Sequence, residues 1–142
     1  MKHIIVATDG STGANRAVEM AARLAKAIGA DLMILPVGGA ITGAELRQLA
    51  DADGDLGKTL TSAATQLLER ARKRAQRTGL AAVKVQCEWG DPAETIVDTV
   101  RREKADILVV GRGGRGRLTA LLLGSVSQKL ASLAPCPVMV VP

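Results

Sequence analysis

The chain has 142 residues, enough for one domain spanning 1–142 with a proper core. Apolar residues make up 47%, which excludes a disordered chain; aromatics make up only 1%, so Leu, Ile, Val, Ala and Met must build the core, and a base-stacking platform for single-stranded nucleic acid is disfavoured. The net charge of +5 suits a polyanionic ligand or a solvated basic surface; much of it sits in Arg70, Arg72, Lys73, Arg74 and Arg77, near a helix end, where it complements the helix dipole.

Met1-Lys2-His3 leads straight into a strand pattern, unlike a signal peptide, and no apolar run reaches the roughly 18 residues that a membrane helix needs. Cys87 and Cys136 have neither metal-ligand nor redox spacing and read as reduced thiols of a cytoplasmic protein. Ile4 to Ala7 is the first strand, and Thr8-Asp9-Gly10-Ser11 is the turn that leaves it. A helix follows from Thr12 to Ile28, with Ala17, Ala21, Leu24, Ala25 and Ile28 on one face and Gly29 placed to end it in a left-handed conformation. Leu32 to Val37 is the second strand. From Ala40 to Lys58 the pattern weakens into a loop; its Asp51-Ala52-Asp53-Gly54-Asp55 string lacks the closing Glu and the spacing of a calcium loop.

The second long helix spans Lys58 to Thr78, with Leu60, Ala63, Ala64, Leu67, Leu68, Ala71 and Ala75 as its apolar stripe. The third strand, Val83 to Glu88, alone alternates apolar with polar residues, as a half-buried sheet edge does. Asp91-Pro92-Ala93-Glu94 starts the next helix: Asp91 caps, Pro92 takes the first helical position, and Glu94 closes a capping box. That helix turns Ile96, Val97 and Val100 inward and ends near Arg101-Arg102. Ile107 to Val110 is the fourth strand. The last helix starts at Gly124-Ser125, with Ser125 and Gln128 as a capping box, and stops before Pro135. Val138 to Val141 is the fifth strand. Strands alternate with helices throughout, which predicts an α/β fold: an open parallel sheet, Rossmann-like, with helices on both faces.

The stretch after the fourth strand carries the chemistry. Gly111-Arg112-Gly113-Gly114-Arg115-Gly116-Arg117 combines close backbone approach with positive charge, and Gly124-Ser125 adds a hydroxyl and helix-start N–H donors, a combination suited to phosphate. Gly111, Gly113 and Gly116 spell the dinucleotide fingerprint, but no Asp or Glu follows Asp106 to hold a ribose. Gly111 and Gly116 have P-loop spacing, but Arg117-Leu118 stand where Lys and Ser/Thr are required.

Gly111, two residues, Gly114, nine residues, Gly124-Ser125 is a third glycine pattern, and it fits fully. With Ile4-Ile5-Val6-Ala7-Thr8-Asp9-Gly10-Ser11, Gly90-Asp91-Pro92-Ala93-Glu94 and Ala134-Pro135-Cys136-Pro137-Val138-Met139-Val140-Val141 in the right order, the whole chain resembles the ATP-binding branch of the universal stress protein family. The resemblance implies strand order 3-2-1-4-5, which places the alternating third strand at one edge. It implies ATP, or ADP or AMP, with or without Mg²⁺, bound where strands one and four diverge.

Carried over position by position, it implies a cofactor site of Ala7, Asp9, Val37, Gly111, Arg112, Gly114, Arg115, Gly124, Ser125 and Val126. Gly111 would let the backbone approach the ribose, Gly114 would give N–H donors to phosphate, and Gly124 and Ser125 would receive the distal phosphates. Asp9 would face the nucleoside or a phosphate-bound metal, or else serve as a turn residue capping the first helix. Val37 would contact adenine through its backbone, or be plain core. Arg112, Arg115 and Arg117 exceed the family pattern; they would clamp a triphosphate, meet another anion, or stay solvated.

The bare apolar edge Val138-Met139-Val140-Val141 invites pairing with a second copy, and the resemblance also implies a homodimer there; Pro137 and Pro142 blunting a short edge is the alternative. His3 is the only histidine, so no Ser-His-Asp triad exists, and no His or Cys cluster suits a metal. The expected function is a dimeric, ATP-binding regulator of the stress response. The alternatives are a slow Mg²⁺-dependent ATPase and an interaction module of the same fold that binds no nucleotide; a nucleic-acid partner lacks any supporting motif.

Overall fold

The computed structural model describes residues 2–37, 54–80, 82–86, 91–112 and 124–142. Five strands, β1 (His3–Thr8), β2 (Asp31–Pro36), β3 (Val83–Val85), β4 (Ile107–Gly111) and β5 (Val138–Val141), form one parallel sheet in the order β3-β2-β1-β4-β5. Among the described residues the helices between them are α1 (Thr12–Ile28), α2 (Gly54–Gln76), α3 (Pro92–Arg102) and α4 (Ser125–Leu133). The expected strand order and the two helical layers are both present.

Side chains alternate across the central strand, so β1 feeds two cores. Ile4 and Val6 face α1 and α2, where Leu32, Ile34, Ile107 and Val109 join them. Ile5 and Ala7 face α3 and α4, with Leu35, Leu108 and Val110. Val6, Ile34, Leu108 and Val109 have no exposed surface, which explains the uninterrupted apolar runs of β1, β2 and β4: both faces are covered. β5 sits at the sheet edge, paired on one side only, through Val109↔Met139 and Val110↔Val140. Met139 packs on the α1 side, and Val138 and Val140 on the α3–α4 side. Cys136 precedes this strand as a free thiol, and burial pushes its pKa up.

α1 runs over its expected span. Gly29 closes it at φ 70°, a left-handed conformation that only glycine adopts without a steric penalty. Its buried stripe differs from expectation. Ala14, Val18 and Ala22 are buried beside Ala17, Ala21 and Ala25, whereas Ile28 is 41% exposed and Leu24 only half-buried. α2 packs alongside α1, and Leu24 packs against the same core from its margin. Arg74 of the basic cluster ties α2 to α1 with a 2.7 Å ion pair to Glu19, while Arg72 pairs with Glu69 at 3.8 Å within α2 itself.

α2 begins at Gly54, so residues 54–58 are helical where a loop was expected; Gly54 and Gly57 lower helix propensity and conceal the first turn. The rest of that expected loop, 40–53, lies outside the described residues. Leu68, Ala71 and Ala75 are buried and Leu67 packs beside them, while the side chains of Leu60, Ala63 and Ala64 lie outside the described residues. β3 ends at Val85, although Gln86 N–H still donates to Ile34 C=O at 3.0 Å; Cys87 and Glu88 lie outside the described residues. α3 starts as its sequence demands: Asp91 accepts from the Glu94 N–H at 3.1 Å, with Pro92 in the first turn. No helix among the described residues is long and apolar enough to cross a membrane.

Asp106 joins the start of β1 to the start of β4. Its Oδ2 accepts the N–H groups of Lys2 at 2.7 Å and His3 at 2.9 Å. Those donors, Lys2 the stronger, hold its carboxyl below the ordinary carboxylate range. A pKa lower in the folded state favours folding when the group is ionised. That contribution is complete above the unfolded value of about 3.9 and is lost as the pH falls through the folded one. Asp106→Asn is therefore expected to melt below the wild type at pH 7, with the gap closing in melts taken below about pH 3.9.

Candidate functional site

The sheet order reverses between β1 and β4: from β1 the chain goes outward to β2, and β4 leads the other way to β5. Connections that leave in opposite directions part beyond the carboxyl ends of these two strands, so the order itself opens a crevice. It holds about 170 Å³ and is lined by Ala7 of β1, Asp9 and Ser11 after it, Ala14 of α1, Val37 after β2, Val110 and Gly111 of β4, and Gly124 with the first turns of α4.

Each wall follows from local chemistry. After β1 the chain turns sharply, and Asp9 Oδ1 accepts the Ser11 N–H at 2.8 Å while Thr8 Oγ1 accepts the Gly10 N–H at 3.1 Å. Ser11, not Asp9, is the residue that caps α1: its Oγ accepts the Ala14 N–H at 3.2 Å. Asp9 is therefore a turn residue whose carboxylate also borders the crevice. Val37 lies just past β2, with its N–H donated to Thr8 C=O at 2.8 Å, which leaves its carbonyl as what the backbone offers to a ligand.

Gly111 ends β4 against the first turn of α1. A Cβ there would stand 3.1 Å from Ala14 N and Gly13 C, and 3.2 Å from Gly13 O. The glycine is required by the approach of α1's own backbone, a packing reason additional to any ligand. On the opposite wall α4 begins one residue earlier than a capping box at Ser125 allows. Gly124 is the N-cap and makes no side-chain cap bond; Gln128 N–H donates to Gly124 C=O at 2.9 Å. Ser125 thus takes the first helical position. Its N–H and those of Val126 and Ser127 have no intrahelical acceptor and sit at the positive end of the helix, facing the crevice. The α1 terminus is capped by its own serine; the α4 terminus is not.

Of the ten positions read from the sequence, Ala7, Asp9, Val37, Gly111, Gly124, Ser125 and Val126 come together around this crevice. Arg112 is not in its lining. Its N–H donates to Val141 C=O and its C=O accepts the Gly124 N–H, both at 2.9 Å, so its backbone bridges β5 and α4. Gly114 and Arg115, with Arg117, lie outside the described residues. Sequence reasoning passed over Ser11, Ala14, Val110, Ser127 and Leu130. Ser11 had a signal, a serine three residues before Ala14 at a helix start. Ser127 had none: its spacing from Ser125 turns it into the core, where its Oγ donates to Gly111 C=O at 2.9 Å. Among the described residues no three His, Cys, Asp or Glu side chains are grouped to hold a metal.

Comparison with known proteins agrees with this architecture along the whole chain. The universal stress protein family model matches residues 1–142. A universal stress protein of Thermus aquaticus is 37% identical over 144 residues, covering 99% of this chain and 98% of that one. Among solved structures, a universal stress protein in complex with cAMP superposes with a TM-score of 0.73 at 28% identity, covering 99% of this chain and 95% of its own. Protein MJ0577 superposes with a TM-score of 0.80, also at 28% identity, over 99% of this chain and 94% of its own. With strand order, crevice and relatives in register from end to end, the chain belongs to the universal stress protein family.

Proposed function

We propose that the crevice binds an adenine nucleotide, ATP in the first place, and that the protein is a homodimeric regulator of the stress response. The observation that carries this is the N-terminus of α4, whose N-cap Gly124 makes no side-chain cap bond, in the wall of the same crevice as Asp9 and Gly111. Three N–H donors at a positive helix end suit phosphate oxygens. Ala7, Ala14, Val37, Val110 and Leu130 give the lining an aliphatic part that suits a base and sugar. The Val37 carbonyl is an acceptor, which matches the donor amine of adenine. Gly114 and Arg115, between Arg112 and Gly124 in the sequence, belong to the phosphate end of this reading, and Asp9 is the carboxylate that would face a phosphate-bound Mg²⁺. The cAMP complex of a 28% identical relative supports an adenine ligand and favours cAMP as the second reading.

Among the described residues of the lining no acid–base pair is arranged: Asp9 is the one carboxylate among them, and its Oδ1 accepts from the Ser11 N–H. Binding, rather than turnover, is what this lining supports. The edge position of β5 supports a dimer in which Val138 to Val141 of two copies pair. Calorimetric titration of the protein with Mg·ATP and with cAMP, followed by sedimentation equilibrium, tests the whole reading. One site per chain with ATP preferred, on a dimer, is expected. A preference for cAMP selects the second reading, and no heat with either returns the protein to the non-binding interaction module.

A further inference from the structure

One hydroxyl joins the crevice to the edge of the sheet. Ser127 is 5% exposed, and its Oγ donates to Gly111 C=O at the end of β4. At that point Gly111 pairs with Val141 of β5, the Arg112 N–H donates to Val141 C=O, and the Gly124 N–H donates to Arg112 C=O. The ends of β4 and β5 and the start of α4 therefore meet in one small ring of hydrogen bonds. Two of those bonds are backbone and survive any substitution; the Ser127 bond depends on its side chain.

The helix has nine residues, of which Ser127 and Leu130 are buried, and Leu130 lies nearly a turn further on. Val126 packs half-buried against the core beside them. The N-cap, Gly124, contributes no side-chain bond. Among the described residues, the hydrogen bonds that tie this terminus to the end of the sheet are those of the Ser127 hydroxyl and the Gly124 N–H.

We propose that Ser127 is a positioning residue: it latches the anion-receiving end of α4 to the shared end of β4 and β5, so that occupancy of the crevice is transmitted to the edge strand. The transmission rests on the nucleotide reading above; the latch does not. A ligand that needs α4 seated will stabilise every bond in the ring, and an opening that unseats α4 must release the ligand first.

Amide hydrogen exchange of the full chain tests both parts, read at Gly124 and Arg112, with Leu108 as reference because its N–H donates to Pro137 C=O at the far end of the same strand pair. Thr keeps the hydroxyl and Val replaces it with a methyl group at similar size, so this pair separates the hydrogen bond from the volume. Without ligand, Ser127→Ala and Ser127→Val are expected to exchange about tenfold faster at Gly124 and Arg112, the worth of one buried hydrogen bond. Ser127→Thr is expected to keep wild-type rates, and Leu108 to be unmoved in all. With Mg·ATP at 100 times its Kd, the wild type is expected to slow at both amides by up to about 100-fold, and the Ala and Val variants to lose that slowing.

Wild-type rates in the Val variant, or a change at Leu108 equal to that at Gly124, overturn the latch whatever the crevice binds. Ligand-free rates that separate the variants, combined with a wild type that no nucleotide alters, overturn the nucleotide reading and the transmission together and leave the latch standing.

Discussion

Ser125→Asp is expected to fold at least as well as the wild type and to bind adenine nucleotide about 1,000-fold more weakly. Ser125 is exposed at the first position of α4, where the N-cap, Gly124, brings no side-chain cap bond. A carboxylate there meets the positive helix end and stabilises it by about 0.3–1 kcal/mol. The same charge stands where the proposed phosphates arrive. At about 4 Å and an effective dielectric constant of about 20, one like-charge contact costs about 4 kcal/mol, or roughly three orders of magnitude in Kd. Stability and binding therefore move in opposite directions, which a misfolded variant cannot imitate. Ser125→Asn, of nearly the same shape without the charge, is expected to bind within about tenfold of the wild type, having lost at most one neutral hydrogen bond. Thermal melts and calorimetric titration of the two variants check this. An Asp variant that binds like the wild type would place the anion elsewhere in the crevice.

The second large effect is expected at Gly111. Its virtual Cβ meets only backbone atoms, those of Gly13 and Ala14, so no side chain can swing aside to accept a methyl group. Gly111→Ala must push the start of α1 from the end of β4, an overpacking that costs about 1–3 kcal/mol and lowers the melting temperature by about 3–10 °C. Because Ala14 and Gly111 both line the crevice, the same displacement widens it, and nucleotide affinity is expected to fall as well. Calorimetric melts with a parallel binding titration provide the check. An unchanged melting temperature would mean that the α1 terminus yields freely, and the packing account of this glycine would fail.

Reading the chain alone recovered whatever depends on neighbours in sequence. Hydrophobic runs of Ile, Leu and Val marked the buried strands, since a strand covered on both faces cannot hide its pattern. Asp91 and Gly29 marked helix ends because capping is settled within three or four residues. Seven of the ten expected site positions meet at one crevice because they follow strand ends, and strand ends converge once the strand order is known. That order came from resemblance to a family, not from the residues themselves.

Tertiary structure decided what depends on contacts between distant segments. It buried Val18 and Ala22 of α1 fully, left Leu24 half-buried and exposed Ile28, in a helix that α2 packs alongside. It gave Gly111 a reason of its own, the backbone of Gly13 and Ala14, and it moved the cap of α1 from Asp9 to Ser11. It left the α4 terminus without a side-chain cap and put the Ser127 hydroxyl on the Gly111 carbonyl. Periodicity carries the first kind of information because a helix or strand repeats its environment every few residues. The second kind arises only when elements far apart in sequence are brought within a hydrogen bond or a van der Waals radius of each other, and no local pattern encodes that distance.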